Sequence, residues 1–430
     1  MTTCDVPGLM PITDAISTQL NQITPTNRSQ SINLACAANR ITAVDSVSPV
    51  MVPPGDNSAM DGYAIAWHTE QKQQRKSWHC VGESLAGHPY GGEVKPGECV
   101  RIMTGALLPA GTDTVVIQEN TVLLPAQDNS ASSIQITVAP TKKGQNVRFT
   151  GEDLAKGDVV IAKGTRLTAS HLAMLASVGI AQIDVVAQLK VAIMATGDEL
   201  VSASSASSSS SYSAPVALQP GQIFESNRIT VQIMLEKLGV QVIDMGIIPD
   251  TPEAIRAAFQ TAAAQADWII SSGGVSVGDA DFVKQVLEEA GQVNFWKVAI
   301  KPGKPYAFGQ IYNTHFAGLP GNPVSTLVTF HQLVVPALRK LAGENAPTSP
   351  KLSAKLIGEL RKRPGRAEYL RANYSLNSDG ELIVTAPKKQ GSNMLSSFFG
   401  ANCFIFLEQA QDTVTEGEQV IVIPFDPLLL

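Results

Sequence analysis

The sequence lacks the marks of nucleic-acid-binding, membrane and secreted proteins. It contains no run of lysines or arginines, and its 32 basic and 38 acidic residues give a net charge of −6. This balance indicates no general attraction to nucleic acid or to an anionic membrane. No apolar run is long enough to cross a bilayer, and the N-terminus has no basic start followed by an apolar core, so it does not resemble a signal peptide. We therefore expect a cytoplasmic protein that binds neither nucleic acid nor membranes.

Cysteine and histidine are also scarce. The six histidines are dispersed, and the five cysteines form neither a Cys-x-x-Cys pair nor a disulfide-like spacing: Cys4, Cys36, Cys80, Cys99 and Cys403. Such scattered cysteines are typical of a reducing compartment. A zinc or thiolate-metal site is not expected, so any metal should have oxygen ligands.

The chain has 430 residues, of which 44% are hydrophobic and 16% charged, which indicates several globular domains. Between residues 190 and 335, short apolar runs alternate with segments of helical spacing. The runs predict strands at 189–196, 240–248, 267–271, 295–301 and 316–320, and the spacing predicts helices at 226–239, 251–265, 279–291 and 323–343. This alternation is typical of a mostly parallel sheet covered on both faces.

The remaining segments are of other types. Residues 46–145 are rich in Val, Thr, Gly and Pro, which predicts a β-rich insertion. Segments with helical stretches, within 10–43 and at 168–180, flank this insertion, and we expect the two flanking segments to pack together. Short strands return after residue 346. We predict a multidomain α/β plus β protein: a helical linker domain (1–45 and 146–185), a β-rich inserted domain (46–145), an open, mostly parallel α/β sheet domain (186–340) and a C-terminal β-barrel-like domain (341–430). The serine-rich tract 202–213 predicts a mobile loop.

Glycine, proline and charge accumulate where each predicted strand of the sheet ends. The loops are "TGDEL" (196–200), "PD" (249–250), "SSGGVSVGDADF" (271–282), "KPGKP" (301–305) and "LPGNP" (319–323). Ligands of open α/β sheets bind beyond the carboxyl ends of the strands, so we expect these loops to form one site.

Three residue types in these loops suggest an anionic ligand. The glycines of the third loop permit close backbone approach to an anion, although a turn with a capping aspartate is an equal alternative. Lys297 and Lys301 would share one face of an extended strand, a costly arrangement in a buried sheet without an anion. Glu199, Asp250 and Asp281 suit Mg²⁺ bridging to phosphate, with helix capping as the competing interpretation of the aspartates.

Nine motifs occur in one order: "DNSAMDGYA", "RIMTGA", "GQNVRFTGEDL", "TGDEL", "ESNRITVQIMLEKLG", "SSGGVSVGDADF", "WKVAIKPGKP", "LPGNPVS" and "RPGRAEYLR". Together they resemble the molybdopterin molybdenumtransferases, the family of MoeA and the gephyrin E domain. The resemblance implies an elongated homodimer with a site shared between chains. It also implies an Mg²⁺-assisted reaction in which molybdate and adenylylated molybdopterin yield the molybdenum-loaded dithiolene and AMP. Molybdopterin adenylyltransferase and cofactor-accepting enzymes would be its partners.

The resemblance also implies site residues, by position in the matching motifs. The catalytic residues would be Glu199, Asp281, Lys297 and Lys301, with Glu199, Asp250 and Asp281 holding the metal. Substrate would contact Asp61, Thr104, Asp153, Asp250, Gly273, Gly274, Ser276, Arg366 and Ser392. The lysines would bind molybdate or phosphate oxygens.

Two other functions remain as alternatives. Molybdopterin adenylyltransferase shares the sheet domain, but its loop reads "GGTG" where this chain has "GGVSVG". A gephyrin-like scaffold would need a receptor-binding segment, for which the sequence offers no sign.

Overall fold

The computed structural model describes residues 8–67, 77–124, 132–203, 217–273, 282–345 and 349–429. The N-terminal part contains α1 (Ile12–Asn21), β1 (Ser29–Asn33), β2 (Ser46–Val47), β3 (Asn57–Ser58), β4 (Gly62–Ile65), β5 (Trp78–Ser84), β6 (Glu98–Ile102), β7 (Thr114–Ile117), β8 (Thr121–Leu124), β9 (Ser133–Ile136), β10 (Val147–Arg148), β11 (Val159–Ile161), α2 (Ala169–Ser177) and β12 (Gln182–Val186). Short 3₁₀ turns lie at Leu34–Cys36 and Gln118–Asn120.

The β-rich segment forms a six-stranded sheet in the order β7-β4-β6-β5-β9-β8. The two ends of the insertion pair with each other, β3 with β10 and β2 with β11. The flanking segments meet through the antiparallel pair of β1 and β12. The two flanking segments pack together, as expected, because Leu34 and Ala37 share an apolar cluster with Leu172 and Leu175. Helix α1 takes no part in that cluster. The side chain of Gln19 in α1 instead donates to the carbonyl of Leu333, 3.1 Å away, and accepts from the hydroxyl of Tyr306, both in the sheet domain.

The central part carries the α/β sheet. Its elements are β13 (Lys190–Thr196), β14 (Leu200–Val201), β15 (Ile223–Phe224), α3 (Asn227–Lys237), β16 (Gln241–Ile248), α4 (Pro252–Ala263), β17 (Trp268–Ser272), α5 (Phe282–Ala290), β18 (Gly291–Lys297), β19 (Ile300–Lys301), β20 (Pro305–Ile311), β21 (Thr314–Leu319), α6 (Pro323–Thr329), a π-helical turn (Phe330–Val334) and α7 (Val335–Leu341). The order is β16-β13-β17-β21-β20-β18. The first four strands are parallel, and β20 is antiparallel to both of its neighbours.

Both faces of this sheet are covered, as predicted. Trp268 and Ile270 pack with α1, α3, α6 and α7 on one face, while Ile269 packs with α4 and α5 on the other. This alternation within β17 follows from the two-residue period of a strand. The run "WII" (268–270) is apolar throughout because a strand in this position has no solvent face.

The region around residue 300 differs from the prediction of one strand at 295–301. β18 begins at Gly291 and ends at Lys297, and residues 300–301 pair with a strand of another sheet. The helix predicted to reach Gly291 ends at Ala290. A β-carbon on Gly291 would lie 2.0 Å from the carbonyl oxygen of Gln310, so this glycine serves the close approach of β20. Strand β20 itself was not predicted.

The C-terminal domain is a closed five-stranded barrel, which confirms the predicted barrel. Its strands are β22 (Leu352–Leu356), β23 (Ala367–Leu376), β24 (Leu382–Thr385), β25 (Cys403–Leu407) and β26 (Gln419–Pro424), with a 3₁₀ turn at Leu395–Phe398. The ring closes because β23 pairs with both β24 and β25. Closure removes the exposed strand edges of a small sheet. Strand β19 adds to β23 in parallel and joins the barrel to the sheet domain.

Candidate functional site

The loops after β13, β16, β17 and β21 lie at one edge of the α/β sheet because these strands are parallel. Asn227, at the start of α3, connects two of them. Its side-chain amide donates to Ser272 Oγ (2.9 Å) at the end of β17 and to the carbonyl of Gly321 (2.7 Å) after β21. The backbone N–H of Asp250 faces Asp198 Oδ1 at 3.4 Å. Convergence is thus observed for four of the five predicted loops, whereas the loop at 301–305 follows a strand that pairs with another sheet. Asn227 is a contributor that the sequence did not indicate.

Three carboxylates gather at the β13–β16 end of this edge. Partial burial, together with the negative charges of Asp198 and Glu199, raises the pKa of Asp250. The carboxylate of Glu199 folds back over Gly197, where a β-carbon would lie 2.6 Å from Oε2. Gly197 has φ 145°, a conformation that suits glycine. This end of the edge therefore accumulates negative charge that a cation would relieve.

These carboxylates suit Mg²⁺ without forming a complete cage. Within the described ranges, no three Asp, Glu, His or Cys side chains are grouped closely enough to hold a metal by themselves. Mg²⁺ is usually bound through one or two carboxylates plus substrate phosphates and water, so a complete protein cage is not required. Asp281, the third predicted metal ligand, lies outside the described residues, as do Gly274 and Ser276.

Gly273 opens the glycine-rich loop. Its φ is 90°, and a β-carbon there would lie 2.7 Å from the carbonyl oxygen of Thr196. Its N–H donates to the carbonyl of Leu319 at 3.2 Å. Gly273 therefore ties the ends of β13, β17 and β21 together, a structural role that a larger residue could not fill.

The two predicted lysines do not share a face of a buried sheet. Lys297 is the last residue of β18 and is exposed, because the strand stops there. Strand β18 runs in the same direction as β21, since both are antiparallel to β20. Lys297 therefore lies at the same edge of the sheet as the carboxylates, but at the opposite end of that edge. Five strand spacings of ~4.8 Å separate β16 from β18, which gives about 24 Å.

Lys301 lies in β19 and faces the barrel. Its Nζ is 3.1 and 3.2 Å from the two carboxylate oxygens of Glu368 in β23. Together with Lys304 and Arg366 it lines a cavity of about 950 Å³ between the sheet domain and the barrel. Among the lining side chains, the cations outnumber the carboxylates: Lys301, Lys304, Arg361, Lys362, Arg363 and Arg366 against Glu359, Glu368 and Asp412. The cavity therefore carries a positive potential that favours anions.

The barrel also reaches the sheet edge through Ser392. Its carbonyl accepts from the N–H of Val324, 3.1 Å away, in the first turn of α6. The buried Arg371 holds this segment in place. It donates to Ser397 Oγ at 2.9 Å and to the carbonyl of Gly391 at 3.4 Å, and burial lowers its pKa to about 10. No sequence signal pointed to Arg371, which looks like an ordinary strand residue in "AEYLRANY".

The predicted residues of the β-rich domain form a separate group. Asp61 Oδ1 accepts from both the N–H and the hydroxyl of Thr104, each at 2.8 Å. These bonds, with a further contribution from Arg101, lower the pKa of Asp61. Asp153 lies on an exposed turn, with its N–H bonded to the carbonyl of Val52. Across the described parts of the chain, no hydrogen bond or ion pair connects Asp61 or Thr104 to the edge of the α/β sheet.

Three family models match in succession along the chain. They are the MoeA N-terminal region (domain I and II) at residues 10–179, the "Probable molybdopterin binding domain" at 192–340 and the MoeA C-terminal region (domain IV) at 353–425. The molybdopterin molybdenumtransferase of Haemophilus influenzae is 46% identical over 98% of this chain and 100% of its own length. The chain belongs to the molybdopterin molybdenumtransferase family.

Further relatives agree with this assignment. The molybdopterin molybdenumtransferase of Nostoc sp. is 34% identical over 91% of this chain and 88% of its own length. The crystal structure of the molybdopterin biosynthesis moeA protein from Pyrococcus horikoshii matches with a TM-score of 0.81 at 28% identity, covering 97% of this chain and 100% of that one. The resemblance inferred from the motifs is confirmed, and the chain is a transferase of molybdenum cofactor biosynthesis.

Proposed function

We propose that this enzyme transfers molybdenum from molybdate to the dithiolene of adenylylated molybdopterin, with Mg²⁺ as cofactor and AMP as second product. The observation that carries the proposal is the distribution of charge along one sheet edge. Carboxylates lie at the β13–β16 end, Lys297 lies about 24 Å away at the end of β18, and Lys301 lines the basic cavity. This edge therefore offers carboxylates for Mg²⁺ and cations for the two anionic substrates.

Each end of the edge suits one part of the reaction. The carboxylates Glu199 and Asp250, with Asp281, would hold Mg²⁺, which when bound neutralises phosphate charge. The loop that Gly273 opens would bind phosphate oxygens through the backbone N–H of Gly274 and the hydroxyl of Ser276. Glu199 would position the water that cleaves the phosphate–adenylate bond. These roles follow from the residue types and their position.

The other end would bind the tetrahedral oxyanion. Lys297 and Lys301 would donate hydrogen bonds to molybdate oxygens, and Arg366 and Ser392 would orient it towards the dithiolene sulfurs. The substrate brings its own sulfur ligands. This agrees with the absence of a thiolate cluster among the described residues.

We also propose a homodimer in which each site takes Asp61, Thr104 and Asp153 from the other chain. Two observations support it. Among the described residues, Asp61 and Thr104 have no bond to the sheet edge of their own chain, and an apolar patch is exposed beside that edge. The patch consists of Ile223 and Phe224 in β15 and Ile229 and Ile233 one turn apart on α3.

We further propose that the enzyme acts in the cytoplasm. The described cysteines are scattered and unpaired, which is typical of a reducing compartment. There the enzyme would meet molybdopterin adenylyltransferase and the cofactor-accepting enzymes. The four domain boundaries stay a prediction.

The reaction is tested by supplying adenylylated molybdopterin and molybdate and measuring AMP release together with reconstitution of a molybdenum-dependent apoenzyme. We expect both products without ATP. Pyrophosphate and adenylylated molybdopterin that form only when ATP and free molybdopterin are supplied would instead establish the adenylyltransferase.

The shared site has its own test. Asp61→Asn and Lys297→Ala should each be inactive alone. Subunit exchange between the two variants should restore roughly a quarter of the wild-type activity, because half of the dimers then contain one intact site. No recovery after verified exchange would place both groups in one chain's site.

A further inference from the structure

Two cysteines lie directly opposite each other in the β-rich domain. Cys80 in β5 is the register partner of Cys99 in β6, and the two strands are parallel neighbours. Both side chains pack in the same apolar cluster, with Trp78 and Ile134, so they point to the same side of the sheet. Neighbouring strands lie ~4.8 Å apart, inside the Cα–Cα range in which a disulfide can form. The pair is 19 residues apart in sequence, by subtraction of 80 from 99, so only strand pairing brings the thiols together.

The two thiols differ in environment. A hydrogen bond from the thiol of Cys99 lowers the pKa of Cys80 to about 6, in opposition to burial. That same hydrogen bond and burial raise the pKa of Cys99. Cys80 is half-buried and reachable from solvent, whereas Cys99 is fully buried. The lowered pKa and the solvent access of Cys80 favour its attack on an oxidant. The burial of Cys99, directly opposite, and its raised pKa favour its role as the resolving thiol.

We propose that Cys80 and Cys99 are a redox-modification site at which a peroxide converts the dithiol to an intramolecular disulfide. The Cys80 thiolate attacks one peroxide oxygen, the O–O bond breaks, and the leaving hydroxide takes a proton to become water. The sulfur of Cys99 then attacks the Cys80 sulfenic acid, the S–O bond breaks, and the hydroxide leaves as water with the proton of Cys99. The two thiols lose two electrons and two protons, and the peroxide is reduced to two waters.

The position of the pair suggests what the modification affects. Strand β6 ends at Ile102, two residues before Thr104, which holds Asp61 by two hydrogen bonds. A disulfide would bind β6 covalently to β5 just before this point. We therefore expect oxidation to stabilise this domain thermally. The inference rests on the register and the thiols, and it stands whether or not the proposed reaction is correct.

Mass spectrometry tests the link. The protein is treated with hydrogen peroxide and its free thiols are alkylated. Trypsin then releases both cysteines in one peptide, residues 77–101. Glutamyl endopeptidase cuts this peptide between Cys80 and Cys99. We expect fragments that remain joined until a reductant is added. Cys36→Ser, which removes an exposed thiol, is the matched control and should leave the link unchanged. Stable oxygen adducts on Cys80, or a link from Cys80 to Cys36, would overturn the proposal.

The pH dependence of alkylation provides a second measurement. In the reduced protein, the rate at Cys80 should reach half its maximum near pH 6. In Cys99→Ala the profile should move to higher pH. If that variant does not fold, Cys80→Ser serves instead, and its Cys99 should stay unmodified by peroxide. An unchanged profile in folded Cys99→Ala, or oxidation of Cys99 in Cys80→Ser, would contradict the pairing.

Discussion

Replacing Lys301 with alanine should damage stability as well as activity. Its Nζ lies 3.1 and 3.2 Å from the carboxylate oxygens of Glu368, whose side chain is only 5% exposed, against 45% for Lys301. Removing one partner of a fully buried ion pair costs about 3–5 kcal/mol. Water reaches the lysine and screens the pair, so we expect Lys301→Ala to cost about 1–3 kcal/mol. Most of this cost comes from leaving the Glu368 charge buried without its partner.

A double-mutant cycle separates this structural role from substrate binding. In Lys301→Ala with Glu368→Gln, no uncompensated charge remains, so we expect about half or more of the lost stability to return. Activity should not return, since the cation that we assign to molybdate is still missing. Glu368→Gln alone should remain active. Lys304→Ala, an exposed lysine of the same loop, is the matched control and should change stability by less than about 0.5 kcal/mol.

The measurement should be local because a multidomain protein is not expected to unfold in a single two-state transition. Hydrogen exchange of the amides of β19 and β23 reports the junction that contains the pair. If Lys301→Ala leaves these amides as protected as in the wild type, the pair does not support the junction. If the double variant is active, Lys301 is not a substrate ligand.

Three further perturbations follow from the site. Thr104→Val should raise the pKa of Asp61 towards its ordinary value, in an NMR titration, because the hydroxyl bond is lost; an unchanged pKa would contradict this. Asp250→Asn should raise the melting temperature without Mg²⁺ and lower AMP release. As the pH decreases, Asp250 takes up a proton at a higher pH than an ordinary aspartate does, because its pKa is raised. The affinity of the wild type for Mg²⁺ should therefore begin to fall at a higher pH than it would with an ordinary aspartate as ligand. Calorimetry that finds no such early fall would contradict this prediction. Gly303→Ala should lower the free energy of unfolding in urea by about 1–3 kcal/mol, because Gly303 has φ 117° and the added β-carbon would lie 2.3 Å from the hydroxyl of Thr329 in α6. Gly321→Ala is the control, since no atom lies within 4 Å of a β-carbon added there.

The parallel part of the sheet was predictable from the sequence. Strands expected at 189–196, 240–248 and 267–271 are found at Lys190–Thr196, Gln241–Ile248 and Trp268–Ser272. Each is a short apolar run followed by glycine, proline or a helix cap, such as Thr251, whose hydroxyl accepts from the N–H of Ala254. These signals are local, because burial on both faces and capping depend on nearby residues.

The antiparallel hairpin was not predictable in the same way. The turn between β20 and β21 contains Tyr312 and Asn313, both with positive φ. Two-residue hairpins require this conformation, but the usual glycine is absent, so the sequence gives a weak turn signal. The break after Lys297 has no local signal either. Residues 300–301 leave the sheet because β23 offers them a different partner.

The sequence by itself determined the kind of protein: the ordered motifs specify the family, and the apolar runs specify a parallel sheet whose loops share an edge. Only the tertiary structure decided which charges meet. Lys301 pairs with Glu368, Lys297 stands exposed at the far end of the edge, and Asp61 is bound to Thr104 within another domain. The physical reason is that motifs record residue types over a few positions. Strand order and register bring together residues far apart in the chain, and these depend on the whole packed fold.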